Sequence, residues 1–284
     1  MVSRPGQVRA ALVVAAASAG LLVSGCSGSA TTDAVKSSSA DSLAADPLTA
    51  VRAAADITGR TGSVQDSSTL ESASAAKKMT LHGSAVYNYT SRLGRMNVTI
   101  PASGSTPGKV LVEIVGPGVI YMQNSGAKKV PPGKWLQVGV QQLADGNLVS
   151  SGATDPASAA NALRGALTAK AVGTETVNGV LLKHYTGTLD LAKAAAATGG
   201  GAAAGLALAG HTFTVKQVPY EVWLDQHGRI NRIVETFTFA GVAGSTAPKD
   251  QVVVVSETDF SGFGSPVTVA VPASKDVYGA SSSN

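Results

Sequence analysis

TETVNGVLLKHYTGTLD (174–190) is the stretch from which the fold is read. Two strand-like runs flank Asn178-Gly179, and Asn-Gly is the pair that suits a two-residue type I′ turn, whose two central residues both take positive φ. The segment therefore predicts a β-hairpin, and a hairpin makes its two strands antiparallel neighbours.

Working outward, the same two-residue periodicity recurs. In KKMTLHGSAVYNYT (77–90), Met79, Leu81, Ala85, Tyr87 and Tyr89 alternate with Lys78, Thr80, His82, Ser84 and Asn88, one dry face against one wet face. RLGRMNVTI, KVLVEIV and VIYMQN follow, punctuated by PASGSTPG and GPG, and KWLQVGV (134–140) completes the first set. TFTVKQVPYEVWLDQHGRINRIVETFTFA adds two strands about a DQHG turn, and DQVVVVSETDF one more.

Between the strands lie three helical patterns. PLTAVRAAADIT (47–58) has Asp46 as cap and Pro47 at its first position, with Leu48, Val51, Ala55 and Thr58 on one face. DPASAANALRGALTAKA (155–171) repeats the Asp-Pro start, and DLAKAAAATGGGAAAGLALAG (190–210) is Ala-rich with a glycine cluster. Nine or ten strands in hairpin order imply a long antiparallel sheet, which curls rather than lying flat. The expected fold is α+β, a curved antiparallel half-barrel with helices over its concave face.

The N-terminus reads differently. Arg4 and Arg9 precede the apolar run ALVVAAASAGLLV, too short to span a bilayer as a helix, and the whole fits a secretory signal peptide over 1–25. Val23-Ser24-Gly25-Cys26 resembles a bacterial lipobox, whose cysteine is acylated and becomes the first mature residue. Cys26 is the only cysteine in the 284 residues, so an internal disulfide is excluded and its expected role is lipidation. Residues 26–45 are small and polar, a lipidated flexible tether reaching on the order of 25 Å. The folded domain then spans 46–278, with 279–284 a disordered tail. Several acyl chains anchor a protein stably where one does not, because each buried methylene contributes roughly 0.8 kcal/mol. The expected location is the outer face of the cytoplasmic membrane.

Enzyme signatures fail in turn. Ser74-Ala-Ala-Lys77 and Ser125-Gly-Ala-Lys128 match S-x-x-K without the S-D-N or K-T-G elements that accompany it in penicillin-recognising enzymes. GGGAAAG (199–205) lacks G-x-G-x-x-G spacing. His82, His184, His211 and His227 lie in separate segments without metal-ligand spacing, and Asp145 (ADGN) and Asp225 (DQHG) read as turn residues. No catalytic residue, metal or cofactor is expected. Basic residues occur only in scattered pairs, which argues against nucleic acid.

What remains is apolar alternation without chemistry. Val112, Ile114, Ile120, Met122, Leu182, Tyr185 and Val222 are the candidate lining of a cavity for an apolar ligand. The glycine-bearing stretch 194–210 is a candidate cover.

HYTGTLD (184–190), EVWLDQHGRINRI (221–233) and DFSGFGSPVTVAVP (259–272), in this order behind a lipobox and a helix, resemble the LppX/LprG-type lipoproteins of actinobacteria. The resemblance covers about 46–278. It implies a LolA-like fold and a carrier in the cell envelope that binds or transfers acylated lipids or lipoglycans; a monomer is expected. The alternative function on the same fold is a protein-interaction or envelope-stress-sensing module.

Overall fold

In the computed structural model, residues 46–74, 78–149, 152–240 and 244–278 are described. Cys26, the signal peptide, the tether and the C-terminal tail lie outside the described residues.

The hairpin is as its turn dictates. β7 (Ala166–Val177) and β8 (Val180–Leu189) pair from Val177↔Val180 to Ala166↔Leu189, and Asn178 and Gly179 take φ 51° and 80°, the double positive φ of a type I′ turn. Around it stand β1 (Ser63–Ala73), β2 (Lys78–Asn88), β3 (Leu93–Ile100), β4 (Lys109–Gly116), β5 (Val119–Gln123), β6 (Trp135–Gly139), β9 (Val218–Leu224), β10 (Ile230–Phe239), β11 (Val252–Ser261) and β12 (Val277–Tyr278). All twelve form one sheet in the order β12-β6-β5-β4-β3-β2-β1-β11-β10-β9-β8-β7. Every pairing is antiparallel except β12 on β6, so the expected antiparallel sheet carries one parallel pair at its edge. β12 and β7 are the free edges, so the sheet is not closed into a barrel.

β1 was not expected as a strand, and it sits near the middle of the sheet between β2 and β11. Its inward positions are Val64, Asp66, Ser68 and Leu70, so a half-polar inner face erases the alternation that marks a strand.

The helices are α1 (Pro47–Gly59), α2 (Pro156–Ala162), α3 (Leu191–Thr198) and α4 (Gly200–Thr212). Asp46 and Asp155 cap α1 and α2 as their sequences predict, each accepting two backbone N–H groups of the first turn, and Asp190 caps α3 through Lys193 N at 2.9 Å. α1 buries Ala50, Val51, Ala54, Ala55 and Thr58. Its Arg52 donates to the Ala166 carbonyl at 2.6–2.9 Å, fixing the helix to the start of β7.

Two helix boundaries differ from the sequence reading. The helix expected to reach residue 171 ends at Ala162, passes through a 3-10 turn at Leu163–Gly165 and becomes β7. A Cβ at Gly165 would lie 2.1 Å from the Asp190 carbonyl, so the chain turns there against the entry to α3. The Ala-rich segment is two helices, because Gly199 (φ 75°) and Gly200 (φ 64°) both leave helical backbone between them.

The core lies between the sheet and these helices. Its bulk is Val, Leu, Ile and Ala, with Phe213, Phe237 and Phe239 as an aromatic cluster. On the outer face His184 stacks on Trp223 with ring centroids 4.1 Å apart. Its Nε2 lies 2.8 Å from Glu221, Trp223 donates to Glu175, and Arg232 meets Asp259 at 2.6 Å.

Candidate functional site

Between the helix layer and one half of the sheet is a cavity of about 560 Å³. Tyr87 and Tyr89 come from the end of β2, Val115 from β4 and Ile120 from β5. Asn147 and Leu148 come from the loop before α2, Ala55 and Gly59 from α1, and Gly205 and Leu206 from α4.

Glycines set its shape. A Cβ at Gly201 would lie 2.8 Å from the Gly118 nitrogen, and one at Gly146 would lie 2.2 Å from the Gly205 carbonyl oxygen. α4 thus rests backbone against backbone on the β4–β5 turn and on the 146 loop. Its far end is held by Phe213 in the core and by the Thr212 hydroxyl, which donates to the Ala144 carbonyl. Gly199-Gly200 and this glycine contact bound the part of α4, from Gly200 to Leu206, that lines the cavity.

Of the seven residues expected to line a pocket, only Ile120 does so. Met122 shares its inward direction and packs on the core. Val112 and Ile114 point outward: Glu113 pairs with the inward Met96, while Ile114 pairs with Arg95 and Tyr121. Tyr185 and Val222 face each other inside the filled core. Leu182 shares the outward parity of His184 and is buried outside the main core. The β4 disagreement is one residue, which is all it takes to exchange the faces of a strand.

The cavity is amphiphilic rather than uniformly apolar. Val115, Ile120, Val140, Leu148 and Leu206 give it an oily side. Against them stand Tyr89, Asn147 and Asp155, with Arg60, Arg92 and Arg164 also in the wall. Asp145 reads from sequence as a turn residue and is one, accepting from Asn147 N and Val149 N at 3.2 and 2.8 Å, although it is buried. Burial, and then the nearby Asp155, push the Tyr87 and Tyr89 phenols up, so both stay neutral. Asp155 is itself raised by burial, against the α2 N–H groups that favour its charge. Asp225 likewise sits in its turn, with Arg229 at 2.7 Å. Among the described residues, no group of three or more His, Cys, Asp or Glu is arranged to hold a metal ion.

On β1, Asp66 faces the interior. Burial lifts its carboxyl to about 8, Asp155 adds to the rise, and the backbone amides of Ala85 and Asp66 offset part of it. A carboxyl whose pKa is higher folded than unfolded holds more protons when folded. Its stabilising effect is full below the unfolded value near 4 and is lost as pH rises through about 8. Asp66→Asn is therefore expected to raise the melting temperature at pH 9 and to change it little at pH 4. Thermal melts at the two pH values check this, and an equal shift at both would contradict it.

No protein-family model matches the chain, and no curated protein does. The chain is similar to two mycobacterial proteins of known structure. LprF from Mycobacterium bovis is 14% identical, with 80% of this chain and 97% of that one covered and a TM-score of 0.44. The lipoprotein LppX from Mycobacterium tuberculosis is 15% identical, with 82% and 100% covered and a TM-score of 0.44. A LolA superfamily protein from Nitrosomonas europaea is 10% identical, with 76% and 91% covered and a TM-score of 0.30.

Tyr87, Tyr89, Asn147 and the arginines were not singled out as site residues from the sequence. Tyr87 and Tyr89 read as the dry face of a strand, Arg60 closes α1, Arg164 lies in the 3-10 turn after α2, and Arg92 and Asn147 come from turns; none of these signals marks a site.

Proposed function

We propose that the protein is an exported lipoprotein, anchored to the outer face of the cytoplasmic membrane through acyl chains on Cys26, whose folded domain binds the acyl portion of a membrane lipid or lipoglycan. The observation that carries this reading is the cavity of about 560 Å³ under a helix bounded by glycines. Such a volume falls within the roughly 300–1,000 Å³ of small-ligand sites. At about 30 Å³ for a group the size of a water molecule or methylene, the whole space holds roughly 15–20 such groups, head and chain of a single-chain lipid together. No helix among the described residues is long and apolar enough to cross a membrane.

The energetics suit a carrier without catalysis. An acyl chain leaving the bilayer exchanges one apolar surrounding for another, so the roughly 0.8 kcal/mol per methylene that water would cost is retained. Loading and release are then nearly balanced, and the protein can hand its ligand on.

Native mass spectrometry of the protein purified from bacterial membranes tests the binding. A co-purified acyl lipid is the expected result. A protein that stays empty and takes up no offered lipid would instead favour a protein-interaction or sensing role. For the anchor, Cys26→Ala is expected to move the protein from the membrane to the soluble fraction on cell fractionation. Unchanged membrane retention would refute lipidation.

A further inference from the structure

The polar half of the cavity is built for something that is not an acyl chain. Asn147 is only 3% exposed and lines the cavity, yet among the described residues neither its Oδ1 nor its Nδ2 has a hydrogen-bond partner. The Tyr89 hydroxyl, in the same wall, is likewise buried and without a partner. An unsatisfied buried polar group costs about 1–3 kcal/mol, and both residues belong to the cavity wall, where a small shift of the side chain would bring these groups to a ligand. The loop holds the amide in place, since Asp145 accepts from the Asn147 backbone N–H at 3.2 Å.

Nearer the solvent the wall is cationic. Arg60 and Arg92 are exposed, line the cavity and form no ion pair among the described residues. Two carboxylates share the wall. Asp56 is paired with Arg164 at 2.8 Å, and the charge of Arg60 also favours its ionised form. Asp155 is buried, with one carboxylate oxygen accepting two α2 amides. The mouth therefore keeps positive charge in excess. Arg92 also stands at the α3–α4 break, where a Cβ on Gly200 would lie 4.0 Å from its Nη1.

Resting on the lipid-binding reading above, we propose that the ligand is an anionic single-chain amphiphile recognised by its head. Its carboxylate or phosphate meets Arg60 and Arg92 at the mouth, while the Asn147 amide and the Tyr89 hydroxyl hydrogen-bond the carbonyl or hydroxyl groups next to it. The chain lies against Val115, Ile120 and Leu206. Guanidinium is the group suited to both anions, because its fork meets two oxygens at once.

The test uses the full chain carrying Cys26→Ala, stripped of bound lipid, with a pyrene-labelled fatty acid as reporter. Palmitate, lysophosphatidylglycerol and hexadecanol compete for the site. At least one anion is expected to displace the reporter about tenfold more strongly than the alcohol, and whichever of the two does so identifies the head as carboxylate or phosphate. Arg60→Gln with Arg92→Asn is expected to erase that preference; Asn suits the positive φ of 57° at position 92. Tyr89→Phe is expected to weaken the anions a few-fold while the melting temperature of the empty protein rises, because the unpartnered hydroxyl is gone. Hexadecanol binding as tightly as both anions, or a preference that survives the double variant, would overturn the head-group assignment and leave lipid binding standing. A reporter that does not bind at all would overturn both.

Discussion

Phe237→Ala is expected to lower the melting temperature by on the order of 10 °C. Phe237 is fully buried on β10, and its ring stacks on Phe213 with centroids 4.7 Å apart. Phe213 meets Phe239 edge-on at the same 4.7 Å. These are three of only five phenylalanines in the chain, so the centre of the core has one aromatic cluster amid small residues. Truncating a buried Phe costs about 3–5 kcal/mol, because lost burial is joined by a cavity that neighbours fill poorly. Alanines have no spare length with which to fill it. In a domain of this size each kcal/mol shifts the midpoint by about 2–4 °C. Phe263→Ala serves as control, since that ring is half-exposed and is covered on one side by Arg229 at 4.5 Å. Calorimetry of both variants decides the matter, and comparable shifts would show that the cluster is not what holds the core.

The same cluster shows what the residues disclose and what they withhold. The Asn178-Gly179 hairpin, the Asp-Pro starts of α1 and α2 and most strands were legible, because each rests on a local rule of backbone geometry. β1 was not, since Asp66 and Ser68 occupy inward positions that the alternation rule reserves for apolar residues. Nor was the end of α2, where Gly165 turns the chain only because Asp190 comes within 2.1 Å of where its Cβ would be. The site was the least legible part. Strand periodicity ranks residues by burial, and buried apolar residues such as Tyr185 and Val222 belong to the filled core. A cavity exists where side chains do not fill space, so glycines and turn residues make it. Gly146, Asn147 and Gly205 carry no periodic signal.

Gly146→Ala is expected to loosen α4 and to weaken ligand binding by on the order of tenfold. Gly146 has φ 59°, and its added Cβ would lie 2.2 Å from the Gly205 carbonyl oxygen and 2.4 Å from the Gly205 Cα. Backbone is on the other side, so no side chain can swing away, and the helix itself must move. The left-handed conformation costs about 1–2 kcal/mol for a residue with a Cβ, and overpacking adds about 1–3 kcal/mol. The sum exceeds what a short helix covering a cavity can absorb in place, because its inner face offers chiefly Gly205, Leu206 and Ala209 for burial. The Phe213 end stays anchored in the core, so α4 should lift from its glycine end and leave the rest of the fold intact. Gly118→Ala separates the two costs, since Gly118 also has positive φ, 76°, but nothing stands within 4 Å of its Cβ. Hydrogen exchange should therefore quicken over residues 200–212 in Gly146→Ala and not in Gly118→Ala, with the binding loss following the same division. Exchange over α4 as slow as in the unaltered protein would mean that the glycine contact is not what seats the cover.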